Sequence, residues 1–323
     1  KDVDTSVHFE NSLMYLDRPG EWCLVENTGD VYYYPREGET LQNLKAVTPG
    51  IETIMKLTGT GSNDRIKNIR IQGITFEYTK WQEYIDEDGV IPQQADMTEY
   101  RTVNRPPAVI FIDCAENLKI ERNVIRHTAN AGIDIYTKSV NNEITGNVLL
   151  DIGSNGIQEG LFNESGARTL TVQGNKIRNN YLKGISVTSS GCGIVCGYTN
   201  GVVIEHNEIS DCAYTGISVG WGWTNNSTAL GNNKINYNHI YNVVNRLSDG
   251  GAIYTLSRAP GSEIIGNYIH DIDRSEWCSR SAAATIYLDQ ESRGFRVADN
   301  VFRRVGQTLN GSTIIDPENT VEN

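Results

Sequence analysis

The chain has 323 residues, of which 38% are hydrophobic and 21% are charged, enough for one large domain or two ordinary ones. Its net charge of −12 excludes nucleic acid as a natural partner, because an acidic surface repels polyanions. The charge also disfavours uronate-rich polysaccharides, and the absence of any long apolar run argues against a membrane partner.

The first predicted element is a β-hairpin in EWCLVENTGDVYYYP, residues 21–35, which turns at residues 27–30. We expect residues 1–60 to form a hairpin region that packs beside the remainder, residues 61–323. The chain does not begin with Met, and its last residues, VEN, start one more copy of the motif described next. We therefore expect the natural protein to be longer at both ends.

A short motif, apolar-x-x-Asn, recurs along the remainder of the chain. The differences between successive asparagine numbers are 24, 28, 32, 31, 29 and 33 residues, and such a period is typical of repeat architectures. Ile74, in IRIQGITFEY, takes the same position in an earlier copy. We expect the asparagine side chains to form a hydrogen-bonded ladder at a corner of the fold, which is a structural role. The seven asparagines are Asn123, Asn147, Asn175, Asn207, Asn238, Asn267 and Asn300.

Each copy also carries a second short alternating segment, and no segment has a helical period. These segments read AGIDIY, NGIQEG, KGISVT, TGISVG, GAIYTL and ATIYLD. Repeats of this size with short strands stack as coils of a right-handed parallel β-helix. The sequence therefore predicts an all-β fold, a right-handed parallel β-helix with an N-terminal β-hairpin segment. The isoleucines expected to point inward are Ile133, Ile157, Ile185, Ile217, Ile253 and Ile286.

Two features leave alternatives open. The polar insertion at about residues 80–107 either folds over a groove or forms a mobile surface loop. Cys192 and Cys196 either form a local disulfide or are buried thiols, and the six cysteines contain no CxxC pair that would indicate structural zinc.

Two neighbouring coils are enlarged at the corner that precedes the second strand. The first enlargement contains Asp249, within residues 247–251, and the second contains His270 and Trp277. Long loops near Trp221 enlarge the opposite corner, so the outward face of the second strands is expected to be the floor of a cleft.

Alternation assigns the residues on that floor. Tyrosines and a carboxylate on a groove floor suit a sugar, whose C–H face stacks on aromatic rings. The predicted floor contains no Lys or Arg. Its two columns are Asp134, Gln158, Ser186, Ser218, Tyr254 and Tyr287, and Tyr136, Gly160, Thr188, Gly220, Leu256 and Asp289.

Several stretches between residues 202 and 302 resemble right-handed β-helix glycoside hydrolases, most closely glycoside hydrolase family 141 and more distantly family 120. These stretches are GISVGWGW, NYNHIYNV, SDGGAIYTL, APGSEIIGNYIHDI and IYLDQESRGFRVADNVF. The hairpin and IRIQGITFEYTKW extend the resemblance over most of the chain. It implies α-L-fucosidase or xylanase activity and two catalytic aspartates, at Asp249 in SDGG and Asp289 in YLDQ. Many relatives have Glu where this chain has Gln290, followed here by Glu291.

Hydrolysis of a glycosidic bond needs one acid and one nucleophile or base. We assign Asp289 as the acid and Asp249 as the nucleophile or base. The reserve carboxylates are Glu291, Asp134 and Glu159. The expected substrate-binding residues are Tyr254, Tyr287, Trp221, Trp223, His270, Trp277 and Gln158. No cofactor or catalytic metal is expected, although structural calcium at Asp134 and Asp289 stays possible.

The expected function is therefore glycoside hydrolysis of a neutral plant or microbial glycan, with a xylan-type or α-L-fucoside linkage, by a secreted or periplasmic bacterial protein. One alternative is a polysaccharide lyase or uronate epimerase on the same fold, which needs Arg, Lys or calcium to neutralise the uronate. The other alternative is a non-catalytic carbohydrate-binding solenoid.

Overall fold

A computed structural model describes residues 12–81, 94–99, 103–164, 172–187, 189–273 and 283–322. The chain forms two compact units, Lys1–Thr48 and Pro49–Asn323. In the first unit, a 3-10 helix (Leu13–Tyr15) precedes an antiparallel hairpin of β1 (Trp22–Val25) and β2 (Asp30–Tyr33). The predicted hairpin is thus present.

The second unit is a right-handed parallel β-helix, as the repeat predicted. Its described residues form three long parallel sheets, and each coil runs through sheet 2, sheet 3 and sheet 1 in turn. The first strand of sheet 1 lies before residue 61, so the coils begin within the region assigned above to the hairpin. Sheet 1 contains β3 (Met55–Thr58), β9 (Ala108–Asp113), β13 (Ala131–Ile135), β16 (Ile157–Glu159), β20 (Ile194–Cys196), β24 (Ile217–Val219), β27 (Gly250–Thr255), β30 (Ala283–Leu288) and β33 (Leu309–Asn310).

The other two sheets complete the coils, and shorter strands lie outside the three long sheets. Sheet 2 contains β5 (Arg70–Gln72), β11 (Lys119–Glu121), β14 (Glu143–Thr145), β18 (Lys176–Arg178), β22 (Val203–Glu205), β25 (Lys234–Asn236), β28 (Arg258–Ile265), β31 (Arg293–Ala298) and β34 (Thr320–Val321). Sheet 3 contains β6 (Thr75–Thr79), β12 (Val124–Thr128), β15 (Val148–Ile152), β19 (Tyr181–Ile185), β23 (Glu208–Cys212), β26 (His239–Val243), β29 (Tyr268–Ile272) and β32 (Val301–Val305). The shorter elements are β4 (Ile66–Lys67), β7 (Thr98–Glu99), β8 (Val103–Asn104), β10 (Ala115–Glu116), β17 (Val172–Gln173), β21 (Thr199–Asn200) and a second 3-10 helix (Gln94–Asp96).

The asparagine ladder exists at the corner between sheets 2 and 3. Each side chain accepts the backbone N–H of the ladder residue in the preceding coil and donates to a backbone carbonyl, as Asn207 does with Asn180 and Ile177. Ile74 occupies the first position, because its N–H donates to Asn123. Except for the half-buried Asn300, the ladder asparagines are buried, so their bonds satisfy turning backbone that water does not reach. The ladder runs through Asn123, Asn147, Asn180, Asn207, Asn238, Asn267 and Asn300.

The prediction was wrong for one ladder residue. Asn180 takes the position assigned to Asn175, because this coil contains two matches to the motif, VQGN and IRNN. Asn175 belongs to a neighbouring column, where its Oδ1 accepts the backbone N–H of Asn142 at 2.7 Å.

The same error displaced the second strand of that coil. Ile185 lies in sheet 3, paired with Ile152 and Cys212, and the strand of sheet 1 is β20 instead. Val195 therefore replaces Ser186 in the first floor column. In β20, Cys196 is a buried free thiol, as is Cys192 before it, so the alternative of a local disulfide is wrong.

The insertion at 80–107 folds over the floor in its described parts. Asn155 donates to the carbonyl of Ala95, and Gln158 donates to the carbonyl of Pro106 at 2.8 Å. Ala95 and Met97 are fully buried. The floor is thus covered around β16 and open toward the C-terminal coils.

Candidate active site

One outward row of side chains crosses the middle strands of sheet 1. Its register joins Asp134 to Gln158, then Val195, Ser218, Tyr254 and Tyr287. Apart from Val195, which takes the place predicted for Ser186, this is the first floor column that the alternation predicted.

Asp249 lies directly before β27, at the enlarged corner between sheets 3 and 1. Its backbone is left-handed, with a φ of 62°, and its carbonyl accepts the hydroxyl of the buried Tyr214 at 2.7 Å. A Cβ at Gly250 would lie 2.7 Å from the Tyr214 ring, so this close approach requires glycine. The turn is therefore fixed by Tyr214 and directs the Asp249 carboxylate toward Tyr287, whose hydroxyl is 3.4 Å away.

Asp289 lies at the other edge of sheet 1, where the strands end, directly after β30. Its Oδ2 accepts the hydroxyl of Tyr254 at 2.5 Å, its backbone N–H donates to Thr255, and its carbonyl accepts the hydroxyl of Thr313. Three separate contacts thus hold this carboxylate and its backbone in place.

The two tyrosines join the two carboxylates. The Tyr254 and Tyr287 rings meet edge to face, with centroids 5.2 Å apart, on adjacent strands. Burial raises the pKa of Tyr287 to about 12 and raises that of Tyr254 further, so both phenols stay protonated and donate. Partial loss of water raises the pKa of the Asp249 carboxyl, and the Asp289 charge raises it too, against the opposing hydrogen bond from Tyr287. Asp249 and Asp289 therefore form a coupled pair through the tyrosines, because each carboxylate accepts from one tyrosine and the two rings are in contact.

The reserve carboxylates have other partners. Glu291 pairs with Arg293 at 3.2 Å, and Asp134 pairs with Arg105. Glu159 points into the core, where it is fully buried and accepts from Asn175 at 3.0 Å. Burial raises the pKa of Asp134 to about 6 and that of Glu159 to about 7. None of these contacts involves the coupled pair.

Three predicted binding residues are too buried to stack against a sugar ring. Tyr254 is 3% exposed, Trp221 is 2% exposed, and Gln158 is fully buried and bonded to Asp134. The Trp221 ring instead packs edge-on against Phe162, with centroids 5.1 Å apart. Packing and hydrogen bonding thus account for these side chains, and Tyr254 serves to orient Asp289.

The remaining predicted binding residues are distributed over the surface. Tyr287 is half-buried beside the pair, and Trp223 is half-buried in the loop after β24. His270 lies on sheet 3, away from the floor, where it contacts His239 through their Nε2 atoms at 2.8 Å and Asp271 through Nδ1. Trp277 lies outside the described residues.

A buried polar cluster, which the sequence did not predict, joins the insertion to the coils. The fully buried Asp96 accepts the hydroxyls of Ser154 at 2.7 Å and Ser189 at 2.8 Å, and the N–H of Ser190 at 2.9 Å. Burial raises the pKa of Asp96, and these bonds oppose that shift. The cluster fixes the insertion to the coils and lies outside the pair.

Two more residues were missed. Tyr214 carries no motif signal, and only its contact with the Asp249 carbonyl shows its role. Arg105 lies across the floor on Asp134, although the predicted floor contained no Lys or Arg. Its guanidinium also stacks on Tyr136, 4.9 Å from the ring centroid.

Among the described residues, no group of three or more His, Cys, Asp or Glu side chains is arranged to hold a metal ion. Asp289, one of the two carboxylates suggested for calcium, accepts a hydrogen bond from Tyr254. The described residues also contain no helix long and apolar enough to cross a membrane.

Comparison with known proteins adds to this geometry. Residues 50–194 match the family model for a right-handed β-helix region. A solved structure titled glycoside hydrolase superposes on 97% of this chain with a TM-score of 0.86 and 28% identity. This chain spans 57% of that structure's length. A search of curated proteins by sequence gave no match.

Two other solved structures have less similarity. The A-module of mannuronan C-5 epimerase AlgE6 from Azotobacter vinelandii has a TM-score of 0.41 and 16% identity, covering 66% of this chain and 53% of its own. The surface protein and adhesin PfbA from Streptococcus pneumoniae has a TM-score of 0.46 and 11% identity, covering 85% and 82%. Neither supports an argument about function.

Proposed function

We propose that this protein is a glycoside hydrolase that uses Asp249 and Asp289 as its two catalytic carboxylates. The observation that carries the proposal is their coupling through the tyrosine pair at the open end of the floor. The similarity to the glycoside hydrolase structure supports the reaction class, and the motif resemblance to family 141 supports a xylan-type or α-L-fucoside linkage in a neutral glycan.

The contacts favour the reverse of the roles expected from the sequence. The pKa of Asp249 is raised, so this carboxyl keeps its proton to a higher pH than an ordinary aspartate does and suits the general acid. Asp289 accepts a short hydrogen bond from Tyr254, which suits an ionised nucleophile or base. In this scheme Asp249 protonates the leaving oxygen, while Asp289 attacks the anomeric carbon or activates water.

The lyase or epimerase alternative depends on a cation beside the acids. Two cations lie along the described floor, and both are far from the carboxylates. Arg105 is paired with Asp134 on β13, four strands from β27 in sheet 1, and Lys56 lies on β3, six strands from β27. The pair itself has tyrosines as its neighbours, so hydrolysis of a neutral glycan is the better match.

A substrate screen tests this proposal. The full chain is incubated with aryl glycosides, xylan, fucosylated xyloglucan and polygalacturonate, and the products are analysed by mass. We expect reducing sugars that have gained one water per bond cleaved. Unsaturated products from polygalacturonate, or no cleavage of any neutral glycan, would contradict it.

A further inference from the structure

The outward row on sheet 1 has a second open end, opposite the carboxylate pair. There the row consists of Lys56 on β3, Phe111 on β9 and Asp134 on β13. Lys56 is exposed and Phe111 is half-buried, whereas Asp134, Gln158 and the middle of the row are buried. The row is thus accessible at both ends and covered between them.

A pocket of about 290 Å³ lies at this second end. That volume is at the lower limit of about 300 Å³ for small-molecule sites, which suits one or two sugar rings rather than a long chain. Trp81 and Phe111 provide aromatic surface, and Pro107 provides apolar surface. The charged residues of its lining are Glu52, Lys56, Arg105 and Asp134.

The charges around the pocket balance. Lys56 and Glu52 lie on the β3 side, and Arg105 pairs with Asp134 on the other. Lys56 forms no ion pair with any residue that the structure describes. A ligand here therefore meets the Lys56 ammonium and aromatic faces, and the charges of the described lining residues balance. A neutral sugar has matching chemistry, because its hydroxyls bond to polar groups and its C–H face stacks on rings.

We propose that this pocket is a second glycan-binding site, which holds a neutral sugar unit away from the carboxylate pair. Five strand steps separate Phe111 from Tyr254, which is about 24 Å at about 4.8 Å per step. The covered floor between them separates the pocket from the candidate active site. The ligand class rests on the proposed function, whereas binding at the pocket does not require hydrolysis.

Affinity electrophoresis tests the site in an Asp289→Asn background, so that glycan is not consumed. The gels contain xylan, arabinoxylan, fucosylated xyloglucan or polygalacturonate. We expect at least one neutral polymer to retard the parent chain, and Trp81→Ala to weaken that binding about tenfold. Lys56→Ala, at an exposed position, is expected to weaken it several-fold with an unchanged unfolding midpoint. Tyr237→Ala, an exposed aromatic at another corner, is the matched control and is expected to bind normally.

The proposal is overturned if no neutral polymer retards the parent chain, or if Trp81→Ala and Lys56→Ala both bind as the parent does. Retardation by polygalacturonate alone would overturn the assignment of a neutral sugar. In the catalytically intact chain, both variants should hydrolyse an aryl glycoside at the wild-type rate. If the hydrolase proposal is wrong, a neutral glycan can still retard the protein in the gel. If the second-site proposal is wrong, the protein can still hydrolyse the aryl glycoside.

Discussion

Glu159 is a buried carboxyl in the core of the β-helix, and its replacement should make the protein less sensitive to alkaline pH. Its Oε1 accepts from Asn175, while its Oε2 is buried and has no hydrogen-bond partner. Burial is the main cause that raises its pKa from 4.5 to about 7, and the Asp134 charge adds to it. Glu159→Gln keeps the shape and the bond from Asn175 and removes the titration.

The pKa change sets both the sign and the size of the effect. The native state binds the proton more tightly than the unfolded chain, so the stabilising contribution is complete below pH 4.5. It is lost as the pH rises through about 7. A rise from 4.5 to about 7 corresponds to about 3 kcal/mol of unfolding free energy. Glu159→Gln should therefore gain about 3 kcal/mol over wild type between pH 4.5 and pH 9.

Urea unfolding at pH 4.5, 6.5 and 9 measures this difference. Glu37→Gln, at an exposed position in the first unit, serves as the control. Its unfolding free energy should differ from that of wild type by the same amount at all three pH values. The stability difference between Glu159→Gln and wild type should rise with pH. If it stays constant or falls, Glu159 is not a buried carboxyl whose ionisation destabilises the native state.

The other predictions concern the ladder and the carboxylate pair. Asn207→Ala should lower the unfolding free energy by about 2–4 kcal/mol, because its buried backbone partners lose their hydrogen bonds. Asn225→Ala, at an exposed position, should change it by less than about 0.5 kcal/mol. Urea unfolding measures both values. Tyr214→Phe should reduce kcat about 5- to 30-fold with KM little changed, because the Asp249 turn loses its anchor; unchanged kcat would contradict that role. The rate should fall on the alkaline side as Asp249 loses its proton, and Asp249→Asn should abolish that limb of the pH profile while Asp289→Asn should not.

The sequence predicted the coils well because a β-helix is a local repeat. Period and alternation placed five of the six inward isoleucines and five of the six residues of the outward row, among them Tyr254 and Tyr287. The failure in the third coil has a physical cause: two asparagine columns run side by side, so Asn175 and Asn180 both match a motif that is only four residues long.

The site was only partly predictable, because its geometry depends on contacts between distant segments. Asp249 was identified through a motif, yet its orientation depends on Tyr214, 35 residues away. Arg105 and Asp96 reach the floor from an insertion that has no repeat, so no period gives their positions. Burial also changed the interpretation of Trp221, whose ring packs against Phe162 rather than facing a cleft.

The most direct test of the central claim compares two leaving groups across the wild type, Asp249→Asn and Asp289→Asn. The assay measures hydrolysis rates on the aryl glycoside that the wild type cleaves, as its 2,4-dinitrophenyl and its phenyl derivative. Asp249→Asn should lose roughly 10²–10⁴-fold on the phenyl glycoside and far less on the dinitrophenyl one, which leaves without a proton. Asp289→Asn should lose activity on both. Wild-type rates in both variants would contradict a catalytic pair at Asp249 and Asp289.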